Sequence, residues 1–301
     1  MDECATYHKT AGTDTALRRC ANYKDAKYYS RACQRSDWKE HKLVCGYAGL
    51  ETTLSDAPTL APTSDVAATT AASESAGPNP TISRPKIVLL SLAKQPWFDE
   101  SYTPLLSLLK SKADVTEATD RDEAYDLLTL ANPTATIPAI ILATDQALTE
   151  PKYTTLQRKA ADYVRHHGST LIFMALFSSF ARPPNIKTPF QAFGLPWVSG
   201  DYHRTDFLVN TAAMHVSTQG LVPSYSQKAL HLANVERGDV VYLPSAASRT
   251  RSMVFAPHAV DTAQTPAVLG ACGRGKVGYT GDVNHEEPTN LVVLAMCGLL
   301  G

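Results

Sequence analysis

The stretch KIVLLSL, residues 86–92, is an apolar run interrupted only by Ser91. An apolar run of this length without alternation is typical of a strand that is buried on both faces. Such strands form the parallel sheets of α/β proteins, in which helices cover both sides of the sheet. The stretch therefore indicates a parallel sheet, and the segments after it should alternate between helix and strand.

The following segments alternate in this way. Apolar residues recur at helical spacing in ESYTPLLSLLKSKA (100–113), and residues 150–168 show the same pattern, with Pro151 near the first turn and a glycine past the end. Strand-like runs follow each helix, at 137–145 and 169–177. Short alternation of this kind predicts parallel βαβ units. We therefore predict an α/β fold over residues 85–301, with a flavodoxin-like, mostly parallel sheet and helices on both faces.

After Phe180 the alternation becomes looser. We expect strands separated by turns in this part of the chain, at residues 228–235, 238–244, 251–260 and 265–283. The closing apolar segment PTNLVVLAMCGLLG should form a helix that packs on the sheet.

The overall charge excludes a strong electrostatic attraction to nucleic acid or to anionic membranes. The chain has 28 basic and 29 acidic residues, a net charge of −1. Its N-terminus lacks a basic segment followed by an apolar run, and no stretch approaches the roughly 20 apolar residues of a membrane span. We expect a soluble, intracellular protein and leave nucleus and cytoplasm open.

Residues 47–84 differ in composition from the segments on either side. They are mostly Ala, Thr, Ser and Pro, with almost no large apolar residue after Leu60. Such a segment cannot bury enough surface to offset the entropy lost on ordering. We predict a disordered linker that separates a small N-terminal module, residues 1–46, from the α/β domain.

The N-terminal module carries four of the six cysteines. From Cys20 to Cys45 the spacing is C-x2-Y-x5-Y-x3-C-x7-H-x3-C, and a further C-x2-Y begins at Cys4. In a chain without a secretion signal, clustered cysteines beside a histidine favour a metal site over a disulfide framework.

This spacing, together with Tyr28, Ser30, Gln34, Asp37 and Trp38, resembles the MYND-type zinc finger. In that family eight ligands hold two interleaved zinc ions. The resemblance implies a first site at Cys4, Tyr7, Tyr29 and Cys33, and a second at Cys20, Tyr23, His41 and Cys45. Tyrosine thus replaces a family ligand at three positions: Tyr7, Tyr23 and Tyr29.

Tyrosine is a poor substitute for cysteine as a zinc ligand. Deprotonation at pH 7 costs about 2 kcal/mol for a thiol with a pKa of about 8.5, and about 4 kcal/mol for a phenol with a pKa of about 10. We expect at most partial zinc occupancy, with zinc in the second site, water or a nearby group as its fourth ligand, and the first site lost. Two alternatives stay open: His8 serves as a third ligand of the first site, or the tyrosine rings fill the metal positions by packing.

MYND fingers in general are protein-interaction modules, and the family's groove accepts peptides of the form P-x-L-x-P. The residues that match its contact positions are Gln34 and Trp38, although Trp38 could instead support a very small core. An extended proline-containing peptide suits such a surface because its ordering cost is low. The linker contains PTLAP, Pro58–Pro62, so the groove could be occupied in cis, unless this string is a chance product of linker composition.

The α/β domain resembles the class I glutamine amidotransferase-like and ThuA-like groups in strand order and texture. Amidotransferase chemistry needs a cysteine on a sharp turn from strand to helix, with a histidine and a glutamate as partners. His285 and Glu287 have H-x-E spacing, but the expected elbow, near the end of LIFMALFSSFARP, offers only Ser178 and Ser179. We therefore predict a non-catalytic domain, and keep as the alternative a hydrolase or small-molecule-binding enzyme that uses the finger for targeting.

Four aromatic residues of this domain are candidates for a ligand pocket, because they occur near predicted strand ends, where α/β folds place ligands: Trp97, Trp197, Tyr202 and His203. The alternative is ordinary packing.

Overall fold

A computed structural model describes residues 18–19, 27–28, 84–129 and 139–300. The contacts divide the chain into two units, Met1–Gly77 and Pro78–Gly301. In the first unit the described residues form an antiparallel pair of short strands, β1 (Arg18–Arg19) and β2 (Lys27–Tyr28). The boundaries of the finger and linker remain predictions.

The described part of the second unit contains one sheet of nine strands. In chain order these are β3 (Lys86–Leu90), β4 (Asp114–Ala118), β5 (Ile140–Ala143), β6 (Thr170–Phe173), β7 (Val198–Val209), β8 (Ser224–Ala233), β9 (Val240–Pro244), β10 (Ala267–Cys272) and β11 (Gly275–Thr280). Their order across the sheet is β4-β3-β5-β6-β11-β10-β9-β7-β8.

Seven α-helices are described. They are α1 (Phe98–Ser101), α2 (Thr103–Lys112), α3 (Arg121–Leu127), α4 (Thr154–His167), α5 (Phe177–Phe180), α6 (Pro183–Ala192) and α7 (Glu287–Met296). Two 3₁₀ turns, Gln146–Thr149 and Pro151–Tyr153, precede α4. The predicted end of α4 is confirmed, because Gly168 adopts a left-handed φ of 76° and its N–H bonds to the carbonyl of Val164. No described helix has the length and apolar character that a membrane span requires.

The first five strands across the sheet, β4-β3-β5-β6-β11, are all parallel to their neighbours. Counted in chain order these strands run 2-1-3-4-5, which is the flavodoxin-like order, so the predicted fold class is confirmed. The other four strands pair antiparallel. They lie between β6 and β11 in the chain and, from β7 on, are joined without helices, which allows each to return antiparallel to its neighbour.

The parallel strands are buried on both faces, as their apolar runs predict. Val88 and Leu90 of β3 join one hydrophobic cluster with α3, α4 and α6. Ile87 and Leu89 of the same strand join a second cluster with α2 and α7. Since successive side chains of a strand point to opposite faces, the two clusters form the two sides of the sheet.

The segment after α6 departs from the sequence prediction in two places. Strand β7 was not predicted, because most of its residues are half-buried or exposed and it lacks an apolar run. The predicted strand at 251–260 is wrong: this segment forms bends, and its apolar residues Met253, Val254 and Phe255 are exposed. Its described ladder contact is a single antiparallel bridge, between Arg249 and Ala259.

Candidate functional site

The predicted metal and peptide sites lie outside the described residues. This applies to the ligand candidates Cys4, Cys20, Cys33, His41 and Cys45, to the substituted positions Tyr7, Tyr23 and Tyr29, to the peptide contacts Gln34 and Trp38, and to Pro58–Pro62. Within the described ranges, no group of three or more His, Cys, Asp or Glu side chains is arranged to hold a metal ion. The geometric evidence therefore concerns the α/β unit.

A small cavity lies at the carboxyl ends of β6 and β11, the side of a parallel sheet where α/β folds bind ligands. Its volume is about 20 Å³, enough for one water molecule. Its polar and strained lining residues are Tyr102, Ala175, Asp282, His285, Glu286 and Thr289. His285 is thus at a cavity, as the sequence predicted.

Ala175 marks a sharp turn between β6 and α5. It has a φ of 57°, which alanine rarely adopts, and it is 6% exposed. The N–H groups on either side hold it in place, because Met174 donates to the carbonyl of Ala143 and Leu176 donates to that of Thr144. A strained turn from strand to helix is the backbone device that presents a nucleophile in α/β hydrolases. Here that position carries a methyl group.

The two serines that the sequence offered as substitutes lie elsewhere. Ser178 is buried, and its hydroxyl donates to the carbonyl of Thr280 at 2.7 Å. Ser179 is exposed and is not among the residues that line the cavity. Neither serine occupies the strained position, which comes several residues earlier in the chain than the predicted elbow.

Asp282 organises the turn between β11 and α7. Its carboxylate accepts the N–H of Asn284 and the N–H of Glu286, both at 2.8 Å, and the hydroxyl of Thr289 at 2.6 Å. These bonds close the chain tightly enough that His285 takes a φ of 59°. The His285 ring then lies 4.2 Å from the ring of Tyr102, measured between centroids.

The electrostatics of the cavity follow from burial. Burial raises the pKa of Asp282 to about 6, the nearby Glu286 carboxylate adds to the rise, and the three hydrogen-bond donors oppose it. Burial also raises the pKa of the Tyr102 phenol, and the hydroxyl has no hydrogen-bond partner among the described residues. The cavity therefore favours uncharged forms of its acidic groups.

The predicted pair of His285 and Glu287 is not brought together at the cavity. Glu287 is exposed in the first turn of α7, whereas the lining residue is Glu286, which forms an ion pair with Arg204. Among the described lining residues, the aliphatic hydroxyls belong to Thr280 and Thr289, and that of Thr289 is already bonded to Asp282 and to Gln227. The arrangement suits binding of a water-sized polar group.

The four aromatic candidates separate into different environments. Trp197 is 1% exposed and belongs to the core, so its interpretation as packing is supported. Trp97 lies 6.5 Å from the His285 ring. Tyr202 and His203 lie on β7 and line a separate, larger groove.

Residues 3–45 match the family model of the MYND finger. The match confirms the resemblance inferred from the spacing of Cys, Tyr and His. It concerns the N-terminal part of the chain alone. No curated protein shows significant sequence similarity to the chain.

Several solved structures are similar to the chain in fold. A cytoplasmic protein from Salmonella typhimurium LT2 has 16% identity and a TM-score of 0.42, and the match covers 71% of this chain and 99% of that one. A ThuA-like protein from Bacteroides uniformis has 10% identity and a TM-score of 0.47, with 74% and 94% covered. A GMP synthase protein from Thermoplasma acidophilum has 12% identity and a TM-score of 0.42, with 72% and 94% covered. Similarity at this level carries no inference about activity.

Proposed function

We propose that this chain is a protein-interaction protein whose finger binds proline-containing peptides and whose α/β unit is not catalytic. The observation that carries the proposal is the match of residues 3–45 to the MYND finger. Fingers of this family are in general protein-interaction modules. The small net charge, −1, gives no support to a nucleic-acid partner.

Peptide binding is assigned to Trp38 and Gln34. The indole of Trp38 offers a flat apolar surface for proline and leucine side chains, and the amide of Gln34 can both donate to and accept from a peptide backbone. A proline-containing peptide is already extended before it binds, so little conformational entropy is lost. These two residues therefore suit a P-x-L-x-P segment of a partner.

Zinc is assigned to the second site of the finger. Cys20, His41 and Cys45 supply two thiolates and an imidazole, a donor set that suits zinc, with water or a nearby group as fourth ligand. Cys4 and Cys33 alone leave the first site with two family ligands, which does not fit a closed structural zinc site. Bound zinc would supply folding free energy to a module too small for a large core.

Three observations support a non-catalytic α/β unit. The strained turn carries Ala175 where a nucleophile would be needed, the adjacent cavity is about 20 Å³, and the hydroxyl of Thr289 is committed to Asp282. A cavity of this volume holds a water molecule but not an amide or ester substrate. The hydrolase alternative lacks a specific observation in its favour.

Peptide titration of the full chain tests the proposal. A fluorescein-labelled P-x-L-x-P peptide should bind saturably, and replacing its leucine with alanine should weaken binding at least about tenfold. In the protein, Trp38→Ala should have a similar effect and Gln34→Ala a smaller one. Gln191→Ala serves as the matched control, because Gln191 is an exposed glutamine on α6 of the other unit.

Two results would contradict the proposal: equal affinity of Trp38→Ala and the parent chain, or no saturable binding at about 1 mM peptide. The same titration tests the contact in cis. If Pro58–Pro62 occupies the groove, Leu60→Ala should increase the affinity for the external peptide, because tethered segments compete at an effective concentration of about mM. Unchanged affinity would remove the contact in cis while leaving the peptide site itself in place.

A further inference from the structure

A wide groove lies on the antiparallel part of the sheet, apart from the small cavity. Its volume is about 840 Å³, and it is formed by β7, β8 and residues 250–260. The side chains that matter for its chemistry are Tyr202, Arg204, Lys228, Arg251, Met253 and Phe255. A groove of this volume is large enough for several residues of a bound chain segment.

The polar wall of the groove is predominantly cationic. Arg204, Lys228 and Arg251 line it, and Asp201 is the one carboxylate among its described lining residues. The Lys228 ammonium lies over the Tyr202 ring, 5.3 Å from its centroid, which fixes a charge and an aromatic face side by side. Arg251 is exposed, so N–H groups that are not committed to its ion pair with Asp206 face solvent.

The opposite rim of the groove is apolar and exposed. Met253, Val254 and Phe255 are 80%, 62% and 72% exposed. Their outward position is maintained by local hydrogen bonds, because the Ser252 hydroxyl accepts the N–H groups of Val254 and Phe255. Three consecutive large apolar side chains held in solvent are a common sign of an interaction site.

The base of this apolar segment is anchored to the sheet. The N–H of Arg251 donates to the carbonyl of Arg204 at 2.7 Å, and the Thr250 hydroxyl bonds to the ring of His258 at 3.0 Å. The segment is therefore a supported arm, and the groove between it and β7 does not depend on a bound partner for its shape.

We infer that this groove binds an acidic segment of a partner protein that also carries a large apolar side chain. Its carboxylates would bond to Lys228 and Arg251, and its apolar side chain would contact Met253 and Phe255. Charge complementarity selects an anionic partner, because cations outnumber carboxylates three to one along the lining. This site is additional to the peptide site proposed for the finger.

The shape of the site favours a protein segment over an anionic membrane. The cations line a concave wall, so a flat bilayer that touched the apolar tip would not reach all of them at once. The carboxylates of Asp201 and Asp206 are at or next to the same surface and would face lipid headgroups. A peptide can enter the groove and place its charges away from both.

A test uses the full chain carrying Trp38→Ala, so that the proposed finger site does not contribute. An array of random decapeptides should be enriched for Asp or Glu next to Leu, Met or an aromatic residue, and the strongest sequence is then titrated. Lys228→Glu should weaken it at least about fivefold and Phe255→Ser about tenfold, with weaker binding at higher salt. Lys187→Glu and Leu108→Ser, substitutions at exposed helical positions, are the matched controls and should leave affinity unchanged.

The inference is overturned if Lys228→Glu and Phe255→Ser bind the array as the parent does, or if acidic residues are not enriched. It is also overturned if vesicles of phosphatidylserine and phosphatidylcholine bind the chain through Phe255 while no acidic peptide does, because the partner is then a membrane. Failure of the finger to bind proline-containing peptides leaves this experiment unaffected.

Discussion

Ala175 is the residue at which backbone strain and the small cavity meet. Its positive φ is tolerated because its side chain is a single methyl group, whereas a β-branched side chain is a severe outlier in this conformation. We predict that Ala175→Val lowers the free energy of unfolding by about 2–4 kcal/mol, since the adjoining cavity is also too small for two more carbons. Urea unfolding followed by circular dichroism measures it, with the exposed Ala212→Val as control. Equal stability of the two variants would contradict the strained turn.

Asp282 should make stability depend on pH. Its pKa of about 6 in the folded state exceeds the value of about 3.9 for an unfolded aspartate. The folded state therefore binds this proton more tightly, and the resulting stabilisation is complete below about pH 4 and is lost as the pH rises through 6. Two pKa units correspond to about 3 kcal/mol.

The measurement compares the parent chain with Asp282→Asn by urea unfolding between pH 4 and pH 7. Across this range the parent should lose about 2–3 kcal/mol relative to the variant, which cannot titrate at this position. Asp122→Asn, at a side chain that is 83% exposed, should show no such change relative to the parent. A pH-independent difference between parent and Asp282→Asn would show that the carboxyl has an ordinary pKa.

Sequence patterns identified only part of this residue cluster. The H-x-E spacing drew attention to His285, which does line the cavity. Ala175 carried no signal, because its conformation depends on hydrogen bonds to the end of β5. Asp282 was missed for a similar reason: its role arises from bonds to Asn284, Glu286 and Thr289, which form only when the turn closes.

At the scale of the elements, long apolar runs were the reliable signal. β3, β5 and β6 are buried on both faces, so their sequences differ clearly from those of the helices between them. β7 lacks such a run, since its half-exposed position allows polar side chains. At 251–260 a similar apolar composition marks an exposed arm, because composition alone does not distinguish a buried strand from an interaction surface.

The end of β11 should be sensitive to any added side chain. A Cβ at Gly281 would lie 2.1 Å from the carbonyl oxygen of Leu230, where β8 approaches β11. The Leu230 N–H bonds to the Gly281 carbonyl at 2.9 Å, so the two backbones cannot separate without losing that bond. We predict that Gly281→Ala lowers the free energy of unfolding by about 2–4 kcal/mol.

The control for this prediction is Gly238→Ala. At Gly238 a new Cβ would meet the sulfur of Met214 at 2.5 Å, but Met214 is 75% exposed and can move aside. Thermal unfolding of both variants should show a large decrease in Tm for Gly281→Ala and a small one for Gly238→Ala. Similar decreases would mean that the close approach of β8 and β11 does not limit stability.

At the scale of the whole molecule, the sequence describes a small metal-binding module, a linker and an α/β domain. Ligand spacing identified the finger, and the family match at residues 3–45 confirms it. Its function depends on zinc, because a module of this size buries little apolar surface of its own. The three tyrosines make the number of bound zinc ions the decisive property of the chain.

Native mass spectrometry of the full chain, combined with zinc quantitation, tests this most directly. We predict at most one zinc per parent chain, held through Cys20, His41 and Cys45, and loss of that zinc in Cys45→Ser. Restoring Tyr7, Tyr23 and Tyr29 to cysteine together should give two zinc ions per chain. A parent chain that binds two zinc ions, or a zinc content unchanged by Cys45→Ser, would contradict the account.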